Sequence, residues 1–467
     1  MATAKFLEGD LMRHVVVMSM SASIGLLAIF LVDFADLYFI SLLGQEALAA
    51  AVGFAGTVIF FLISVTIGLA IAMGALVAPR LGRGEAEEAR SVATSVMVFG
   101  VIATTIISAL SWVYAGPILT MLGAEGVTHD YAVRYLQIVL PSTPAGAVGI
   151  MASSLLRAHG DARRAMMVTF WSGGVNAVLD PLLIFTFGLG LDGAAYASVA
   201  SRFAMAIAAM LAVYRHYGGF APYRTPALLS HLSMIIAIAA PAILTNIATP
   251  VGNGVVTRAI AGFGDSAVAA YAVIGRLVPI AFCVVFALSG AVGPIIGQNF
   301  GARKFERVGQ TITRALQFAG VYTIASWGAV LLLNGFAASA FGLADEGRRI
   351  IFWFALVVAP LFYFNGMLFI ANAAFNNLQR PIWSTGLNWG RNTLGVIPFV
   401  AFGAEWGGAS GVLIGQALGG VLFGVLGLLL ARLLVGGYAN GRLDPEKGVR
   451  APVLRGRPDP PFSSPRG

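Results

Sequence analysis

LLGQEALAAAVG, Leu42–Gly53, recurs further along the chain as GFGDSAVAAYAV, Gly262–Val273. Each copy closes one apolar run and opens the next. RLGRGEAEEAR (Arg80–Arg90) then follows the second apolar run just as NFGARKFERVG (Asn299–Gly309) follows the eighth. LLRAHGDARR (Leu155–Arg164) and AFNNLQRP (Ala374–Pro381) match more weakly. The pairs lie about 220 residues apart, and self-similarity at a fixed period means two copies of one architecture.

Composition says where those copies reside. Of 467 residues, 58% are hydrophobic and only 11% charged, whereas about a quarter are charged in soluble proteins. A membrane span needs about 20 mostly apolar residues. That ruler gives twelve spans, at 15–43, 52–78, 92–122, 131–156, 165–190, 193–214, 232–262, 267–297, 309–342, 350–376, 382–403 and 409–435. The N-terminus lacks the apolar core and cleavage site of a signal peptide, so the first run is expected to be kept as a span. The 57 glycines fall mostly inside apolar runs, where small residues let helices approach closely. Cys283 is the single cysteine, which excludes a disulfide framework.

The expected fold is all-α and polytopic, with twelve transmembrane helices in two pseudo-symmetric six-helix bundles. Residues 1–222 form the N-terminal lobe, 223–435 the C-terminal lobe, and 436–467 a disordered basic tail. Six is even, so both lobes face the same way about an axis along the membrane normal, with a cavity between them. Such duplication suits alternating access better than a scaffold or receptor.

Charge sets the orientation. One set of connections carries Arg80, Arg83 and Arg90; Arg157, Arg163 and Arg164; Arg215 and Arg224; and Arg303, Lys304 and Arg307. The opposite set holds Glu125 and Asp130, Asp192, Asp265, Asp345 and Glu405, with Arg348 and Arg349 as its only basic cluster. The first set and both termini are therefore expected in the cytoplasm. The net charge of +8 reflects this asymmetry and not nucleic-acid binding.

The repeated motifs carry a resemblance. ADLYFISLLGQEALAA and GQNFGARKFERV resemble the multidrug and toxic compound extrusion (MATE) transporters, and NAVLDP, Asn176–Pro181, matches that family's fifth-helix pattern. Within the family the chain resembles the branch coupled through the N-terminal lobe, the DNA-damage-inducible protein F-like transporters. The resemblance implies a V-shaped pair of lobes in a prokaryotic inner membrane. It also implies a monomer that needs no cofactor and expels amphipathic, organic-cation-like compounds in exchange for H+ or Na+.

Polar residues within the spans narrow the chemistry. Of 21 acidic residues, only Asp33, Asp36 and Asp180 fall well inside a span, all in the first half. Asp33 and Asp36 share one helical face, as do Asn176 and Asp180. Pro181 removes a backbone donor beside Asp180 and frees a carbonyl. A buried carboxylate is costly unless it serves a purpose such as binding a driving cation. The resemblance assigns Asp36, Asn176 and Asp180 to cation coupling, with Ser198 as a further ligand; the three would hold sodium if sodium drives transport. Asp33, on the face of Asp36, is a further candidate for the same site. Arg202 lies near Ser198 and either pairs with Asp180 or does not.

The second half has no acid in its spans and offers Arg258, Arg276, Arg391 and several asparagines. Arg391 either meets an anionic substrate group or, the more favoured reading, pairs with helix carbonyls. Arg202, Arg391, Tyr363 and Trp171 are the candidate cavity residues. Two other readings compete: a lipid-linked precursor flippase of the same superfamily, and an intramembrane enzyme. The second would need a nucleophile or metal cluster that the sequence does not contain. Membrane lipid is an expected partner.

Overall fold

A computed structural model describes residues 4–445, apart from the side chains of Asp33, Leu37, Ser41 and Glu46. In lipid every backbone polar group must be satisfied within its own segment, so the apolar runs become helices. The first half contains α1 (Leu11–Ser41), α2 (Glu46–Gly82), α3 (Ala86–Val113) with the short α4 (Ala115–Met121), α5 (Gly126–Val139) continued by α6 (Thr143–Ala158), α7 (Ala162–Pro181) and α8 (Gly190–Tyr217). The second contains α9 (Thr225–Ala261), α10 (Asp265–Ala281) continued by α11 (Cys283–Gly301), and α12 (Phe305–Ala340). It ends with α13 (Asp345–Trp353) continued by α14 (Ala359–Asn377), α15 (Pro381–Asn392) and α16 (Ile397–Ala439).

Twelve crossings result among the described residues, and several depart from continuous runs. The eighth span breaks at Phe282, just after Pro279, which cannot donate to the ladder. Phe282 is fully buried and stacks on Phe362 at 4.3 Å. The fourth and tenth spans break at matching points of the two copies: a 3-10 turn at Leu140–Ser142 holding Pro141, and a π turn at Phe354–Val358 just before Pro360.

The eleventh and twelfth spans join through Gly407 and Gly408, where Gly408 takes φ +59°. The chain folds back there. A Cβ on Gly411, Gly415 or Gly419 would strike the carbonyls of Gly403, Phe399 and Gly395 respectively, so the two arms pack backbone against backbone. The last helix also runs to Ala439, past the expected start of the tail. Tyr438 holds it there, buried, with its hydroxyl donating to the Leu378 carbonyl at 3.3 Å. The rest of the expected tail, beyond residue 445, lies outside the described residues.

The two halves meet where α2 packs against α9 and where α11 lies against α1 and α2. At the basic ends of α2 and α11, a Cβ on Gly82 would collide with the Gln298 carbonyl, and one on Gly301 with the Pro79 carbonyl. Pro79 and Gly82 stand in the first copy where Gln298 and Gly301 stand in the second. The contact is therefore its own image under the pseudo-twofold axis. The two repeated motifs lie on one face, as the duplicated sequence requires.

A strap seals this crossing. Residues Lys5–Leu7 form a 3-10 turn with Phe6 buried beneath it. The Lys5 ammonium donates to the Gly160 carbonyl of the first half at 3.1 Å. The Phe6 amide donates to Gln298 Oε1 at 2.9 Å, while Asn299 and Arg307 both donate to its carbonyl at 3.2 Å. Lys304 and Arg307 also hold the carbonyls of Leu7 and Gly9, at 3.0 and 2.7 Å. Gly160 has φ +81°, and a side chain there would run into Lys5 and Phe6. Both halves thus grip one strap, and the basic face is closed.

The crossing should be intolerant of a single methyl group. Gly301→Ala is expected to destabilise the protein by about 1–3 kcal/mol, the usual cost of overpacking. Gly436→Ala, which has open space around its Cβ, should leave the thermal unfolding midpoint in detergent unchanged or higher. Equal midpoints for the two variants would contradict the crossing.

Candidate cation-coupling site

Helix α7 buries Ala165, Val168, Ser172, Asn176 and Asp180 on one stripe, spaced three and four residues apart. Asp161 caps its start, accepting from the Arg164 amide at 3.1 Å. Its other end is set by Pro181, which has no N–H to offer Ala177, and the chain opens into a π turn at Leu182–Thr186. The start of α8 presses on that turn: a Cβ on Gly193 would lie 2.7 Å from the Leu183 carbonyl carbon. The irregular turn therefore brings Ser198 of α8 to the level of Asp180.

Asp180 has no exposed surface, and neither of its oxygens nor Asn176 Oδ1 receives a hydrogen bond. The carboxyl of Asp36, from α1, neighbours it in the same pocket. Two ionised carboxylates cannot bond to one another; a shared proton or a bridging cation is required. An ionised aspartate at membrane depth costs about 3 kcal/mol or more when left uncompensated. The donor-free oxygens of Asp180 and Asn176 suit either ion. The side chain of Asp33 lies outside the described residues.

Tyr135 of α5 completes the site. Its buried side chain neighbours that of Ser198, and it lies close enough to Asp36, Asp180 and Arg202 to feel their charges. Sequence reading missed it because Tyr135 stands only four residues inside the expected fourth span. One signal was available: Tyr135 falls on a stripe with Ala132, Leu136 and Val139, and a tyrosine on a buried stripe needs a partner for its hydroxyl.

Arg202 does not pair with Asp180. Its Nη1 donates to the Val139 carbonyl and to the hydroxyls of Ser142 and Thr143, at 3.2, 3.3 and 3.4 Å. The broken fourth span supplies these acceptors, so the guanidinium is satisfied away from the carboxyl pair. Arg391 binds the neutral Asn365 Oδ1 at 2.7 Å, a side-chain oxygen in place of the helix carbonyls favoured from sequence. Tyr363 lies edge-on to Phe364 at 5.7 Å and rests against Gly320. Trp171 lines a groove between α7 and α8. None of these last three joins the aspartates.

The second copy lacks this chemistry. TLGVIP, Thr393–Pro398, stands where NAVLDP stands in the first, so the proline is kept while Thr393 replaces asparagine and Ile397 replaces aspartate. Among the described residues no group of three or more His, Cys, Asp or Glu is placed to hold a metal ion.

A two-lobed helical membrane protein with an acid pair in one lobe is the architecture of a secondary transporter. The MatE family model matches residues 22–182 and 241–402, once in each half, and the chain belongs to that family. It is 29% identical to a FAD transporter of Shewanella oneidensis over 91% of this chain and 95% of that protein. It is 25% identical to the multidrug export protein MepA of Staphylococcus aureus, over 68% of this chain and 70% of the other. In fold it matches the Vibrio cholerae MATE transporter VcmN in the bent form, with a TM-score of 0.87, at 24% identity, over 92% of this chain and 98% of that one.

Whether the hydroxyls of Tyr135 and Ser198 act together can be tested. Tyr135→Phe and Ser198→Ala should each cost about 1 kcal/mol of stability, and the double variant no more than either alone. Unfolding measurements that give additive losses would show that the two hydroxyls do not act together.

Proposed function

We propose that this transporter is a proton-coupled exporter, working as a monomer in a prokaryotic cytoplasmic membrane with its basic face and both termini in the cytoplasm. The carboxyl pair carries the reading. Asp36 and Asp180 are neighbours at membrane depth, and among the described residues no donor is bonded to either Asp180 oxygen, so a proton taken up by the pair relieves the repulsion of two buried carboxylates. The strap and glycine crossing close the cytoplasmic face, which corresponds to an outward-open state. In the cycle, a proton arriving from outside neutralises the pair, removing the repulsion between α1 and α7. The π turn after Pro181 lets α7 adjust, and substrate leaves outward. Release of the proton to the cytoplasm resets the site. Protonation shifts the equilibrium only by its different affinity for the two arrangements.

The substrate is an amphipathic small molecule. Arg258 and Arg276 are exposed on second-half spans, Arg276 lying over the Phe34 ring of α1 at 5.6 Å, and Arg391 meets only a neutral partner. These cations support a substrate with anionic groups over the organic-cation character expected from sequence. The FAD transporter, similar over nearly its whole length, supports the same reading, with a flavin dinucleotide as the first candidate.

The test uses proteoliposomes with proton and sodium gradients imposed separately. A proton gradient alone should drive flavin dinucleotide movement, and Asp36→Asn and Asp180→Asn should abolish it at matched expression. The amide preserves shape, and Asn176 Oδ1 is available as an acceptor. Wild-type rates in either variant, or driving by sodium alone, would overturn proton coupling through this pair.

A further inference from the structure

Between α7 and α8 runs a groove of about 470 Å³, within the range of small-ligand sites. Its walls are Met167, Trp171 and Val175 on one side and Ile207 and Leu211 on the other. Its mouth, at the basic face, carries Arg164, Arg215 and His216. From Arg164 to Val175, and from Ala204 to Arg215, the groove follows each helix for about 16 Å, close to the ~15 Å depth of one leaflet's hydrocarbon. α7 and α8 pack chiefly on each other and on α1, α5 and α6. The groove therefore lies on the outer side of the first lobe, and Trp171, 65% exposed, faces lipid there.

We propose that this groove is a binding site for one anionic phospholipid of the cytoplasmic leaflet. An acyl chain fits the apolar length and the phosphate meets the basic mouth. Charge selects the headgroup. Asp161 engages Arg164, but among the described residues no acid pairs with Arg215, which is exposed. A zwitterionic headgroup would leave the mouth with uncompensated positive charge. Spacing between the walls is fixed from within, since the Ser172 hydroxyl lies 2.9 Å from that of Ser201 and also bonds the Ser201 carbonyl, at 3.1 Å. Val175 lines the groove while Asn176, the next residue, turns into the lobe beside Asp180. α7 is thus a wall shared by the lipid and the carboxyl pair.

The site is tested by binding, which does not depend on the coupling reading. Purified protein is exchanged into mixtures of phosphatidylglycerol and phosphatidylcholine, and retained lipid is counted by native mass spectrometry. One phosphatidylglycerol should be held in preference to phosphatidylcholine. Arg215→Glu should reduce that preference by about 25-fold, since each unit of charge near a membrane surface contributes about fivefold and the reversal changes two. Arg215→Lys should keep it, and Ile207→Trp, which fills the groove without changing charge, should lower retention of both lipids. Inorganic phosphate should not displace the bound lipid. The proposal falls if the wild-type protein shows no preference, if Arg215→Glu retains it, or if inorganic phosphate competes.

Discussion

Everything above the basic face hangs on the place where two glycines let two helix backbones touch. Gly82 lies against the Gln298 carbonyl and Gly301 against the Pro79 carbonyl, each contact the image of the other. No side chain mediates this approach, so the distance between lobes is set by bare backbone. In lipid there is little hydrophobic drive to bring helices together, and close packing of small residues takes its place. The crossing therefore locks by shape. Its two surfaces have little material that can flex or slip, and they fit in one registration.

The copies diverge most where the chemistry lies. Both retain a proline at the same point of the fifth and eleventh spans, and with it a local break in the ladder. Only the first adds Asp180, and only its partner helix α1 brings Asp36. Ile397 in the second copy occupies the equivalent position and needs no compensation. The two copies thus share a backbone plan and differ in the charge they bury.

Much of this was legible in the sequence. The repeat gave the twofold organisation, and the hydrophobic ruler gave all twelve spans, because in a bilayer length and apolarity leave the backbone almost no choice but helix. NAVLDP marked α7 because an acid and a proline together are costly at that depth. The breaks were not legible. Pro141, Pro360 and Phe282 interrupt spans by amounts that depend on which neighbours can take the freed carbonyls, and that is decided in three dimensions. Arg202 shows the consequence: from sequence the nearest acid inside a span is Asp180, but the broken fourth span offers three acceptors first. Tyr135 was hidden for the same reason, since its depth follows from how α5 packs and not from its distance to the end of an apolar run.

The strap has a consequence for how the protein is made. Phe6 is translated well before Gln298, Asn299 and Arg307, yet those residues, 292 to 301 positions further on, provide most of its bonds. Domains made first usually fold first. Here the earliest residues must wait in solvent at the membrane surface until the eighth span has been inserted and turned. Docking of the strap is then a late event in assembly, and it reports that two separately inserted lobes have found each other in the correct arrangement. A chain stalled with only its first half in the membrane would leave Phe6 uncovered, a visible apolar flag on an unfinished transporter.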